Sequence, residues 1–534
     1  MNPMNSTTME IFRRIGFVPL LLLILALMVL HACTPLSTSS HEISVTVEDN
    51  GQLYEAKVPN GTNVQTVLER LGLTLGVLDR TEPPTYTILN SASRITIIRV
   101  KEVFETEEVV VPFEQQIVKN ESLAEGETRL VQPGENGLQQ ITYRRLLENG
   151  KEVARTVFKV EILSEPRPEI VMVGVQSPLA PVDLPGHLVY LAGGNAWLIR
   201  ESTGNRYPLV TSGDLDGRIF SLSPDGKWLL YTRQSKEAGQ INTLWVVNLT
   251  TERPQPINLK VNNVVHYAEW VPGTSLTITY STVEPRSAPP GWQANNDLYR
   301  LIISPDGRVL KNDRLIDSNA GGIYGWWGTT FAWSPNGNYL AYARPDSVGW
   351  VNLKEQTFEP LLSLQPLETG GDWAWVPTLG WTADGRFLFT IANGSQGEAG
   401  ASSFTLKALS FDPLMMLDIV KDTGMFANPV PVPETQSSPQ WVAYLQAIFP
   451  SQSETSRYRL MLMDRDGSDQ RALFPPEGSI GLEPQRPVWS PLSSSNSPRW
   501  IAIIYQGNLW LVEIPSGQAR QITGDGLTRR IDWK

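Results

Sequence analysis

The sequence predicts a mainly β chain whose last two thirds form a β-propeller of seven blades, with six as the alternative count. Three observations carry this. First, a turn led by an aromatic or large apolar residue recurs as Leu222 to Gly226, Trp333 to Gly337 and Trp381 to Gly385, with weaker copies at Trp270 and Trp489. Second, each turn leads into a short apolar run ending in Tyr or Phe, such as Trp228 to Tyr231, Tyr339 to Tyr342 and Phe387 to Phe389. A further run follows, such as Leu244 to Val247, Val348 to Val351 and Asn508 to Val512. Such short β-branched and aromatic runs, bounded by turn residues, read as strands. Their return at roughly 40–60 residues means stacked units. Third, Ile531 to Lys534 is a leading strand with no unit after it, whereas the first unit, from about Leu188, has no leading strand. The C-terminal strand is therefore expected to join the N-terminal sheet and close the ring, which removes an exposed edge.

The sixth unit, about 426–474, has no clear leading aromatic, hence the six-bladed alternative. Ser304 to Gly307 and Asp464 to Gly467 repeat the turn chemistry but follow the third run of their units, so they read as turns into an outer strand. Asp-Gly and Asn-Gly suit these turns because Gly accepts positive φ and the Asp or Asn side chain caps the turn. On these residues, 187–534 resembles the TolB-like and WD-repeat-like propellers. That resemblance implies a fold and leaves function open, since propellers serve as enzymes, scaffolds and sensors.

The first residues carry an address. Arg13 and Arg14 precede an apolar run from Ile15 to Ala32, and Leu30, His31 and Ala32 lead to Cys33, the single cysteine. This resembles a bacterial lipoprotein signal. It implies a signal peptide over 1–32, lipidation of Cys33, a tether over 33–41 and attachment to the extracytoplasmic face of the cell membrane. An uncleaved anchor is the alternative, because the run is near the minimum length for spanning. One cysteine also allows no intramolecular disulfide. The balance of 44 Lys and Arg against 55 Asp and Glu gives a net charge of −11, which argues against a nucleic-acid partner.

Between tether and propeller lie two smaller modules. In 42–100, alternation in Ile43 to Val47, a helical face of Val64, Val67, Leu68 and Leu71 ended by Gly72, and a strand from Arg94 to Ile98 suggest a β-grasp-like module. Leu71 to Gly76 resembles the small ubiquitin-like repeats that precede wall-associated domains in resuscitation-promoting factors. The next segment, 101–176, carries Gly126, Gly134, Gly137, Gly150 and Gly174 among alternating Val and Ile. It resembles a G-five domain, a flat extended β domain named for five glycines. The resemblance implies binding to polymers containing N-acetylglucosamine; the alternative is a rigid spacer. Some adhesin members of that family assemble through zinc, but the segment has no His and no Cys, so no metal site is carried over. A Pro-rich linker, 177–186, leads to the propeller at 187–534.

Catalytic motifs are thin. The four His are scattered at 31, 41, 187 and 266, and neither HExxH nor GxSxG occurs. Ser212 to Phe220 nears a sialidase-type box with its Gly one place late, and reads as a turn. Glu269 and Asp532 flank leading-strand Trp residues of different units and could face one channel as a carboxylate pair. No catalytic residue, metal or cofactor is assigned.

The aromatic residues point elsewhere. All 17 Trp fall after residue 187, mostly at repeat positions where they pack. Trp292, Trp326, Trp327, Trp373 and Trp375 lie off the repeat. Two loops, Gly325 to Gly328 and Gly371 to Trp375, precede leading strands of consecutive units and so share one face. Tyr324, Trp326, Trp327, Trp373 and Trp375 are the candidate ligand-binding residues, able to stack on sugar rings or anchor a protein; inter-blade packing is the alternative. The expectation is a non-catalytic, membrane-anchored extracytoplasmic protein. Its partners would be the membrane through Cys33, cell-wall glycan or peptidoglycan, and another envelope protein. The alternatives are a propeller hydrolase or lyase acting on glycan, and an envelope assembly or sensor scaffold.

Overall fold

The computed structural model describes residues 41–534 except 121–122, 176–178, 275, 368–372, 395–402, 412, 435–439 and 493–498. The expected signal peptide, Cys33 and nearly all of the tether lie outside the described residues. Among those described, no helix is long and apolar enough to cross a membrane. The described residues divide into two compact units, one within 41–109 and 138–163, the other within 110–137 and 164–534. The division runs through the segment 101–176.

In the first unit, Glu42–Asp49 turns through Asn50 and Gly51, both at positive φ, and pairs antiparallel with Gln52–Pro59. It also pairs parallel with Ser93–Ile98, whose other neighbour is Arg80–Glu82. The helix Val64–Arg70 starts where the Asn63 side chain accepts the Thr66 amide at 2.8 Å, a standard N-cap. Its Val64, Val67 and Leu68 are buried with Val45, Val47, Ile95 and Ile97 of the sheet. Three long strands follow, in the order Lys151–Ser164, Gly137–Glu148, Val100–Val111. Almost every residue of Lys151–Ser164 is exposed. Ion pairs of Arg144 with Glu102, Arg145 with Glu105 and Glu152, and Arg155 with Glu107 link these strands.

In the second unit, Glu169–Gly174 lies between Gln115–Asn120, its parallel neighbour, and Thr128–Gln132, its antiparallel one. Seven four-stranded sheets then follow among the described residues. Leading strands of the second to seventh are Leu215–Leu222, Ala268–Trp270, Thr330–Trp333, Leu379–Trp381, Val430–Pro431 and Val488–Trp489. The sixth is short and lacks an aromatic, as the sequence repeat does there. In the first sheet the corresponding place is taken by Thr528–Trp533, which pairs antiparallel with Asp183–Ala192 and sets Leu188 opposite Trp533.

The repeat turn has a clear physical role. Ser223, Ser334 and Thr382 each use the hydroxyl twice: toward Asp225, Asn336 and Asp384 at 2.6, 2.7 and 2.6 Å, and as acceptor for the first amide of the next run. Gly226, Gly337 and Gly385 complete the turns at positive φ. The repeat Trp residues link neighbouring sheets. The indole Nε1 atoms of Trp270, Trp381 and Trp489 donate to the carbonyls of Ser221, Ala332 and Val430 on the preceding leading strands, at 3.2, 3.0 and 2.8 Å.

The expected linker departs from the sequence reading. The first strand begins at Asp183, and Val182 and Leu184 are buried. The Trp533 indole donates to the Pro185 carbonyl at 2.7 Å. The same core holds Leu123, Ile170 and Met172 together with Leu188, Trp197 and Trp533, so the sheet of Gln115–Asn120, Thr128–Gln132 and Glu169–Gly174 packs on the first four-stranded sheet. Polar contacts reinforce it: buried Gln132 reaches Thr211 at 3.2 Å, and Arg233 sits between Asp214 and Glu165 at 3.0 and 3.1 Å. A Pro-rich stretch reads as a tether in sequence because proline disfavours regular strands. Here a β-bulge between Leu184 and His187 absorbs Pro185 and Gly186.

Candidate functional site

In each four-stranded sheet, the segment before the leading strand and the hairpin between the second and third strands lie at the same end. This follows from antiparallel order alone. Four aromatic side chains from three such segments meet there. His266 precedes the third leading strand, Trp292 belongs to a hairpin of Trp292–Ala294 with Val283–Pro285, and Trp326 and Trp327 precede the fourth leading strand. His266 stacks on Trp292 with centroids 5.9 Å apart. Trp327 tilts against Trp292 at 5.1 Å, and Trp326 meets Trp327 edge-on at 5.8 Å.

The turn carrying Trp326 and Trp327 is clamped from below. Buried Asn296 donates to the Gly325 carbonyl at 2.7 Å and accepts from the Thr329 hydroxyl at 2.8 Å. Tyr324 opens the turn in the left-handed region. Gly328 lies against the imidazole, where a Cβ would stand 2.8 Å from Cδ2 of His266. Burial pushes His266 down to about 4, so its ring is neutral at pH 7. Both ring nitrogens are buried without a hydrogen-bond partner among the described residues. Trp326 and Trp327 are half-buried, leaving part of each ring available for stacking.

The other candidates go elsewhere. Trp373 stacks on Phe426 at 5.9 Å. Trp375 is 1% exposed, donates to the Met425 carbonyl at 2.9 Å and packs edge-on against Phe404, so it belongs to the core and offers no ring surface to a ligand. Gly371 and Asp372 lie outside the described residues. His266 carries no sequence signal, being one of four scattered histidines, and Trp292 stands off the repeat with nothing in the sequence to join it to Trp326 and Trp327.

The carboxylate candidates have unequal surroundings. Asp532 is committed to backbone, accepting the Leu222 and Trp533 amides at 2.7 and 2.8 Å. Burial pushes the Glu269 carboxyl up; Arg486 and Lys534 and the Trp333 amide oppose this, and Asp532 adds to it. Its Oε2 is buried without a hydrogen-bond partner among the described residues. Among the described residues, no group of three or more His, Cys, Asp or Glu is arranged to hold a metal ion.

The five glycines divide by physical reason. Gly126 and Gly150 stand at turns with φ of 79° and 80°. The other three permit close approach: a Cβ would stand 2.3 Å from the Phe113 ring at Gly134, 2.5 Å from the Pro166 nitrogen at Gly137, and 1.8 Å from the Ala124 carbonyl oxygen at Gly174. The G5 domain family model matches residues 102–176, the segment that carries these five glycines. The chain belongs to the G5-domain family through this segment.

Solved structures are similar to each part. The G5 domain of IgA1 protease is 30% identical, covering 15% of this chain and 93% of that one, with a TM-score of 0.12. The G5 structure of HP0197 is 22% identical, covering 14% and 99%, with a TM-score of 0.14. A periplasmic gluconolactonase of Pseudomonas aeruginosa is 13% identical, covering 65% of this chain and 95% of that one, with a TM-score of 0.38. The search of curated proteins finds no match.

Proposed function

We propose that the protein is a membrane-anchored extracytoplasmic binding protein. Its G5 domain engages cell-wall glycan, and its propeller presents a recognition face to a glycan or to another envelope protein. The observation that carries this reading is the G5 domain at 102–176. The family's association with N-acetylglucosamine polymers supplies the ligand class. The anchor is the lipidated Cys33, which follows from the lipobox-like Leu30 to Cys33. The seven sheets are the blades of one ring, closed by Thr528–Trp533. Support comes from the Leu188–Trp533 pairing and the indole bonds between successive leading strands. The recognition face is the end that carries Trp292, Trp326 and Trp327.

The test is co-sedimentation of the full chain with purified peptidoglycan, with and without competing N-acetylglucosamine oligosaccharides. Binding that the oligosaccharide displaces supports the reading. A chain that stays in the supernatant moves the protein-docking role to first place. Labelling with a fatty-acid analogue, lost in C33A, tests the anchor. A hydrolase or lyase is the second reading, favoured by Glu269 with its raised carboxyl and an oxygen that has no partner among the described residues. Release of reducing ends from wall glycan, lost in E269Q, would put it first.

A further inference from the structure

A pocket of about 400 Å³ opens at the same end of the sheets as the aromatic group, on different segments. Four stretches build it: Arg457 before a third strand of the sixth sheet, residues 480–485 before the seventh leading strand, the hairpin tip 504–507, and residues 528–530 of the pairing C-terminal strand. This volume is in the range of small-ligand sites. Its lining reverses the sign of the molecule. In a chain with a net charge of −11, the pocket gathers Arg457, Arg529 and Arg530 against one acid, Glu483.

Each arginine has a different tie. Arg457 is paired with Glu483, which fixes its direction. The Arg530 Nε donates to the Gly217 carbonyl at 2.6 Å, and a guanidinium tied through Nε keeps its two terminal nitrogens for other acceptors. Arg529 is exposed and has no ion pair or side-chain hydrogen bond among the described residues. The walls are pre-set. Gln485 exchanges hydrogen bonds with Ile504 at 2.6 and 2.7 Å, Leu482 and Tyr458 exchange theirs at 2.7 and 2.9 Å, and the Thr528 amide donates to Gly507 at 2.8 Å. The backbone of the walls is therefore fixed before binding, and the ordering that remains is that of the Arg529 side chain.

We propose that this pocket binds a small oxyanion, a carboxylate or phosphate group, with Arg529 as the free cation that receives it and Arg530 and Arg457 beside it. Guanidinium groups match both anions geometrically through paired N–H donors. Gln506 and Tyr505 on the hairpin provide polar and ring surface for whatever carries the anion. The site is independent of glycan binding by the G5 domain.

The test is calorimetric titration of the full chain with three probes: a tri-uronate oligosaccharide, inorganic phosphate and a neutral N-acetylglucosamine trimer. One of the two anions should bind with an affinity that falls as salt rises, and R529Q should weaken it about tenfold or more with an unchanged melting temperature. Which anion binds distinguishes an acidic sugar from a phosphate source. The neutral trimer should bind wild type and R529Q alike, so loss of that binding alone counts against the G5 reading and not against this one. Absence of binding by both anions at millimolar concentration overturns the proposal. So does full anion affinity in R529Q together with R457Q.

Discussion

Two sheets of the five-glycine segment share an apolar–polar alternation and have opposite fates. The sheet of Val100–Val111, Gly137–Glu148 and Lys151–Ser164 leaves its apolar residues in solvent, with Phe158 63% and Ile162 61% exposed. In the sheet of Gln115–Asn120, Thr128–Gln132 and Glu169–Gly174, Ile170 and Met172 are buried at 0% and 3%. Both alternate apolar and polar residues. The difference is what lies against them. The second sheet shares a core with Leu188, Trp197 and Trp533, whereas the first holds its strands together by hydrogen bonds and surface ion pairs. Alternation records that one face can be covered; it does not record the cover.

The comparison can be broken most severely at Trp533, which is 2% exposed and shared by the first sheet and the G5 strands. W533A should cost about 3–5 kcal/mol in denaturant unfolding. It should also release the protection of the Glu169–Gly174 amides in hydrogen exchange. Unchanged protection there would mean the shared core contributes nothing to holding that sheet. A paired substitution sharpens the contrast: I170A should cost about 3 kcal/mol, and I162A within about 0.5 kcal/mol. Equal costs would erase the distinction between the two sheets.

A smaller effect comes from pH. His266 has a folded value of about 4 against an ordinary 6.5, so below 6.5 the unfolded chain takes up a proton that the folded chain refuses. Stability from this residue is fully present above pH 6.5 and is lost as pH falls toward 4, by at most about 3 kcal/mol. Glu269 acts in the opposite sense, since a raised carboxyl makes the folded state bind the extra proton as pH falls. The measurement is unfolding free energy across pH 4–7 in wild type and H266Q. An unchanged slope in H266Q would remove His266 as its source. The smallest expected effect is E107Q, which breaks the exposed pair with Arg155 at 3.4 Å. Thermal unfolding should move by less than about 0.5 kcal/mol. A larger loss would mean that these pairs, and not backbone bonding, hold the exposed sheet.

Much of the fold was legible because the repeat is local. The Ser or Thr, Asp or Asn, and Gly of each turn bond to one another and to the next residue, so chemistry and sequence spacing coincide. The five glycines were legible for the same reason at Gly126 and Gly150, where φ is a property of one residue. At Gly174 the need is a neighbour's carbonyl that is distant in sequence. The sites were less legible. Trp326 and Trp327 stood out as off the repeat, but so did Trp375, which is core. His266 carried no pattern of its own; only Gly328 and Trp292, from other segments, give it a setting. The arginines of the basic pocket span residues 457 to 530 and form no linear motif.

By itself the sequence determined the strands, their turns and the glycines that stand at turns, because short-range geometry decides each of these. Only the tertiary structure decided that Val182 to Pro185 packs instead of tethering, that one G5 sheet is covered and the other bare, and which off-repeat Trp residues remain near the surface. Burial depends on what the rest of the chain brings alongside a residue, and no local pattern contains that information.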